Sequence, residues 1–160
     1  MIAIEDLRQI VVRLESMGDL IEQIDRDSVS RVIFTLVEQE KPETVEIKIM
    51  MSSKASASIG YLESKWRAIV KRTEVYLDSV RSMAAAAFRN ASKIAGNKIT
   101  EAQVVEHLDA DPAVIAEKQK LISVTEIADI MQSVRYAVKN MFDGLLEFSR
   151  NERVAQRTGN

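Results

Sequence analysis

Eight cations, Lys65, Arg67, Lys71, Arg72, Arg81, Arg89, Lys93 and Lys98, are the residues of this 160-residue chain whose type and spacing could do chemistry. They lie in a stretch, residues 54–98, that holds nine bases against three acids, a net +6, although the whole chain carries −2. Tyr61, Trp66, Tyr76 and Phe88 are interleaved among them. Cations follow phosphates and release their counterions, and exposed rings stack on unpaired bases, so this composition suits a single-stranded polyanion. The cations carry that reading, because Trp66 and Tyr76 also fall on an apolar stripe and are expected in the core. The acids lie elsewhere: residues 1–47 hold eleven against five bases, and residues 99–129 hold seven against two. A basic block between acidic ones admits two readings, an anion-binding face or complementary surfaces of neighbouring subunits.

Catalytic groups are sparse. His107 is the single histidine and has no cysteine to share a metal with, so a solvent-facing or capping role is expected. Asp109 and Asp111 flank Ala110, and paired carboxylates can hold a divalent cation or exchange protons. Asp111 directly precedes Pro112, however, and reads better as a helix N-cap. The sequence has no phosphate-binding glycine loop, dinucleotide fingerprint or nucleophile elbow. The chain therefore reads as non-enzymatic, with no cofactor and no metal. The absence of cysteine fits a reducing compartment. An N-terminus that turns acidic by its fifth residue does not look like a signal peptide, and no segment reaches the ~20 apolar residues of a membrane span. A cytoplasmic location without membrane association is expected.

The elements that must position the cations follow from periodicity. Ile59, Leu62, Trp66, Ile69, Thr73, Tyr76, Val80, Met83, Ala87, Asn90 and Ile94 alternate in steps of three and four, which predicts one long helix with a seam facing a partner helix. Upstream, Ile4, Leu7, Val11, Leu14 and Met17 share a face of a short helix that Gly18 is expected to end. Residues 29–50 read either as a helix and an extended arm or as two β-strands turning at residues 40–43, and the hairpin is preferred because β-branched residues are dense there. Residues 50–58, small and polar, read as a hinge. Gly96 and Asn97 predict a stop, and Thr100 with Gln103 has the pattern of a capping box opening a short helix to Leu108. A second long helix follows Pro112, with Leu121, Val124, Ile127, Ala128, Met131, Val134, Val138, Met141, Phe142, Leu145 and Phe148 on a stripe wide enough to touch more than one helix. The polar end, residues 150–160, is expected to fray. The fold class is thus mainly α: an antiparallel hairpin of two long helices with a shorter N-terminal helix, a small β-hairpin at 29–50, and homo-oligomerisation to cover surplus apolar surface. Residues 1–50 are expected to form an acidic assembly segment, and 51–160 a DNA-binding and oligomerisation core.

Three stretches, Tyr61-Leu62-Glu63-Ser64-Lys65-Trp66 opening the basic helix, Leu108-Asp109-Ala110-Asp111-Pro112-Ala113-Val114, and the helix through residues 127–141, together resemble the phage recombination mediator family of UvsY. The start, Ile4-Glu5-Asp6-Leu7-Arg8-Gln9, is also similar to it. The likeness covers roughly residues 59–150 as a pattern of helices and scattered identities. It implies a ring-forming, non-catalytic protein that binds single-stranded DNA and helps load a RecA-like recombinase where single-strand-binding protein already sits. Where that family carries a Lys/Arg-rich stretch ending in paired tyrosines, this chain reads Ala84-Ala85-Ala86-Ala87-Phe88-Arg89-Asn90-Ala91-Ser92-Lys93, without a tyrosine pair. Other classes consistent with the residues are a coiled-coil structural or chaperone-like assembly protein, and a ring-forming phage DNA-packaging adaptor that prefers duplex.

Overall fold

The computed structural model describes residues 4–18, 21–37 and 44–158. They form five helices: α1 Ile4–Ser16, α2 Gln23–Val37, α3 Val45–Ile94, α4 Glu101–Ala110 and α5 Pro112–Thr158. A long helix packs against another, and no strand occurs among the described residues. The chain divides into two compact units, residues 1–66 with 127–160 and residues 67–126.

In the first unit α2 lies beside the start of α3. Val29, Val32 and Ile33 are buried at helical spacing, which explains why the expected β-hairpin at 29–50 is absent from the described residues. Its two arms belong to α2 and α3, while the turn expected at residues 40–43 lies outside the described residues. Burial of one helical stripe outweighs the β-propensity of the same residues. The expected hinge at residues 50–58 is likewise helix interior, with Ser52 and Ala55 buried and the Ser52 hydroxyl donating to the Lys48 carbonyl at 2.7 Å. Small side chains there let a neighbouring helix come close. The α5 stripe supplies Ile127, Ala128, Met131, Val134 and Val138, all buried, whereas Phe148 is exposed. The end of the chain is helical to Thr158, where fraying was expected.

In the second unit, Leu77, Val80, Ala85, Val104, Leu108 and Val114 form a core, with Ala84, Phe88, Ile99 and Leu121 packed against it. This corrects the sequence-derived seam. Thr73 and Val80 are buried as expected, but burial then continues through Leu77, Ala85 and Ser92, while Tyr76 is 53%, Met83 60% and Ile94 88% exposed. A strict seven-residue repeat keeps facing a partner only if the helices supercoil. Here α3 is covered by the short α4 and the start of α5, so burial follows the 3.6-residue period of a straight helix.

Local chemistry sets the boundaries. Gly18 follows α1 at φ +55° and Gly96 follows α3 at φ +73°. After α3, the Asn97 N–H donates to the Ser92 carbonyl at 2.9 Å and the Gly96 N–H to that of Lys93 at 3.1 Å, a Schellman closure that requires the left-handed residue. The capping box opens α4: the Gln103 N–H donates to Thr100 Oγ1 at 3.4 Å and the Thr100 N–H to Gln103 Oε1 at 2.9 Å. Asp111 Oδ1 accepts from the N–H groups of Ala113 at 2.8 Å and Val114 at 3.1 Å, opening α5. Asp111→Ala is expected to destabilise the protein by about 1 kcal/mol in urea unfolding, with Asp111→Ser close to wild type.

Candidate nucleic-acid interface

The eight sequence-predicted cations are treated differently by the fold. In the first unit, Lys65 donates through Nζ to Glu22 Oε2 at 2.9 Å and to both oxygens of Asp25, at 2.9 and 3.2 Å. Asp25 is only 3% exposed and also accepts from the Trp66 indole N–H at 3.1 Å. Lys65 and Trp66 thus tie α3 to α2, and a cation held by two carboxylates is poorly placed to reach a phosphate. The hydrogen bond to Glu22, then that to Asp25, raises the Lys65 pKa above the ordinary lysine value. A raised lysine pKa stabilises the fold in full below the ordinary value of about 10.4, and that contribution is lost as pH rises through the raised one. The urea midpoint is therefore expected to fall from about pH 10 upward, and Lys65→Met should remove most of that dependence.

The other seven lie in the second unit. Arg89 Nη2 donates to both oxygens of Glu101, at 3.0 and 2.8 Å. Arg81 is half-buried and its charge reaches Asp109. Asp109 itself accepts from Lys118 Nζ at 2.7 Å, and this bond, more than Arg81, holds its carboxyl below the usual range. The acidic stretch that follows α3 therefore neutralises part of the basic helix within this unit. Arg67, Lys71, Arg72, Lys93 and Lys98 are exposed. Lys71, Arg72, Lys93 and Lys98 have no ion pair among the described residues.

Helical spacing sorts these cations further. Arg67 and Lys71 share a side of α3 with Glu74 and Asp78. Arg72 and Lys93 share another with Val75, Tyr76, Ser79, Met83, Ala86 and Asn90, all of them exposed and none acidic. This acid-free face runs for 21 residues between its two cations, about 30 Å of helix. Beside it, Lys120 of α5 sits 6.0 Å from the centre of the Tyr76 ring. Sequence reasoning missed Lys120, which lies in an acidic stretch, and misplaced Tyr76. The competing signal was Leu77, one position on, which takes the buried site.

Of the solvent-facing or capping role expected, His107 is not solvent-facing: it is half-buried in the last turn of α4 and stacks on Phe88, with ring centres 4.2 Å apart and planes 13° from parallel. No group of three or more His, Asp or Glu gathers as a metal site among the described residues. No helix there is long and apolar enough to cross a membrane. No known protein family, curated protein or solved structure matches this chain.

Proposed function

We propose that the protein binds single-stranded DNA along α3 of the second unit and acts as an oligomeric recombination mediator, promoting the loading of a RecA-like recombinase onto DNA covered by single-strand-binding protein. The observation that carries the DNA-binding part is the acid-free exposed face from Arg72 to Lys93. Polyanion affinity depends on cations that face solvent without competing carboxylates. Lys71 and Lys98 add positive charge on the same unit, while Lys65 and Arg89 are held by carboxylate partners and Arg81 is half-buried near Asp109. The mediator role rests on the family resemblance of the sequence. Because modest local affinities add along one strand, several copies would bind far more tightly than one.

A competition experiment tests this reading: a labelled oligonucleotide is bound, then challenged with unlabelled single strand or duplex. Preference for the single strand supports the mediator, and preference for duplex favours a packaging adaptor.

One observation favours a second reading, a coiled-coil assembly protein. Tyr76, Met83, Ala87, Asn90 and Ile94 keep heptad spacing and are uncovered in the single chain, as a helix awaiting a partner would be. Sedimentation across a concentration series without DNA distinguishes them. Mass that depends on this stripe, together with no DNA binding, selects assembly as the function.

A further inference from the structure

We infer that Tyr76 is a base-stacking residue, with Lys120 as a phosphate contact beside it; the inference rests on the single-stranded DNA reading and names where that strand is gripped. Tyr76 is 53% exposed although the heptad spacing of α3 marks it for burial, because Leu77 takes the core position. The exposed Tyr76 ring, on a face that also leaves Val75 and Met83 exposed, leaves apolar area in water that a flat ligand would cover. Its neighbours narrow the ligand. Lys120 Nζ lies over the ring, 6.0 Å from its centre, and 3.8 Å from the Glu117 carboxylate of its own helix; Arg72 stands one turn before Tyr76 on the α3 face, and no acid of α3 shares that face. Positive charge at two points around one half-exposed ring, with Lys120 over it, is complementary to a chain that alternates phosphates with π-faces. An amphipathic protein helix would bring apolar residues but needs no such bracket of cations, and an acidic peptide would have no use for the ring. Stacking is indifferent to base identity, since every base has a π-face, so the site takes single strands of any sequence.

The test compares oligo(dT) with an abasic strand of the same length, on the full-length protein and on Tyr76→Ala and Tyr76→Phe. Both substitutions are at an exposed position, and circular dichroism checks that helicity is unchanged. Wild type is expected to bind oligo(dT) about five- to a hundredfold more tightly than the abasic strand. Tyr76→Ala is expected to lose that advantage while keeping its abasic affinity and its salt dependence, and Tyr76→Phe to retain it. Lys120→Ala is expected to weaken both strands and flatten the salt dependence. Equal affinity of Tyr76→Ala and wild type for oligo(dT) would overturn the inference and leave DNA binding standing. Equal loss on both strands, accompanied by a drop in sedimenting mass, would also overturn it and assign the ring to assembly. Failure of wild type to bind either strand would overturn the DNA-binding reading itself, and the inference with it.

Discussion

Asp25→Ala is expected to destabilise the protein by about 2–4 kcal/mol, more than any other single substitution considered. The Asp25 carboxylate is buried and accepts from two side chains of α3, the Lys65 ammonium and the Trp66 indole. Removing it leaves a buried indole N–H without an acceptor and a partly shielded ammonium without one of its two carboxylates. An unsatisfied buried donor costs about 1–3 kcal/mol, and a broken charge pair adds to it. Glu22 still holds Lys65 from the exposed side, which keeps the loss below that of a fully buried pair. Asp25→Asn preserves an acceptor for the indole and gives up only the charge, so about half the loss is expected. Trp66 is the single tryptophan, so urea unfolding followed by its fluorescence reads the effect at the residue concerned. A red-shifted native emission in Asp25→Ala would show directly that the α2–α3 contact has opened.

The second large effect concerns binding. Arg72→Ala combined with Lys93→Ala removes both cations from the acid-free face and leaves the core of the second unit untouched, since both side chains are exposed. Each phosphate contact on a single strand contributes about 0.7 to the slope of log affinity against log salt, so the double variant should be shallower by about 1.4. Exposed ion pairs are individually weak, up to about 1 kcal/mol, which puts the combined loss near tenfold at moderate salt. Lys65→Ala offers the contrasting control. It should disturb stability through Asp25 and Glu22 while leaving the salt dependence of binding in place.

These two variants mark where the sequence was legible and where it was not. Residues whose role is settled by their immediate neighbours were readable. Thr100 with Gln103, Asp111 before Pro112 and Gly96 after the basic helix each fix a boundary through bonds spanning a few residues, and each stands where the sequence placed it. Positions decided by distant partners were not. Val29, Val32 and Ile33 satisfy strand and helix patterns alike, and only burial chooses the helix. The heptad spacing through Tyr76, Met83 and Ile94 is genuine, but which of two adjacent stripes is covered depends on α4 and the start of α5. The cations divide in the same way. Their clustering was visible, whereas the pairing of Lys65 with Asp25 and of Arg89 with Glu101 joins residues 40 and 12 positions apart and follows from no local pattern. Lys120 could not be proposed from sequence, because its approach to Tyr76 crosses from α5 to α3.

The most direct test of the central claim, that the acid-free face of α3 grips single-stranded DNA, is equilibrium binding of a labelled oligo(dT) to the full-length protein and to the Arg72→Ala, Lys93→Ala variant across a salt series. Tight binding by wild type that weakens steeply with salt, together with a shallower slope in the variant, is the predicted result. Wild-type binding that is absent at low salt, or a variant with the wild-type slope, would contradict it.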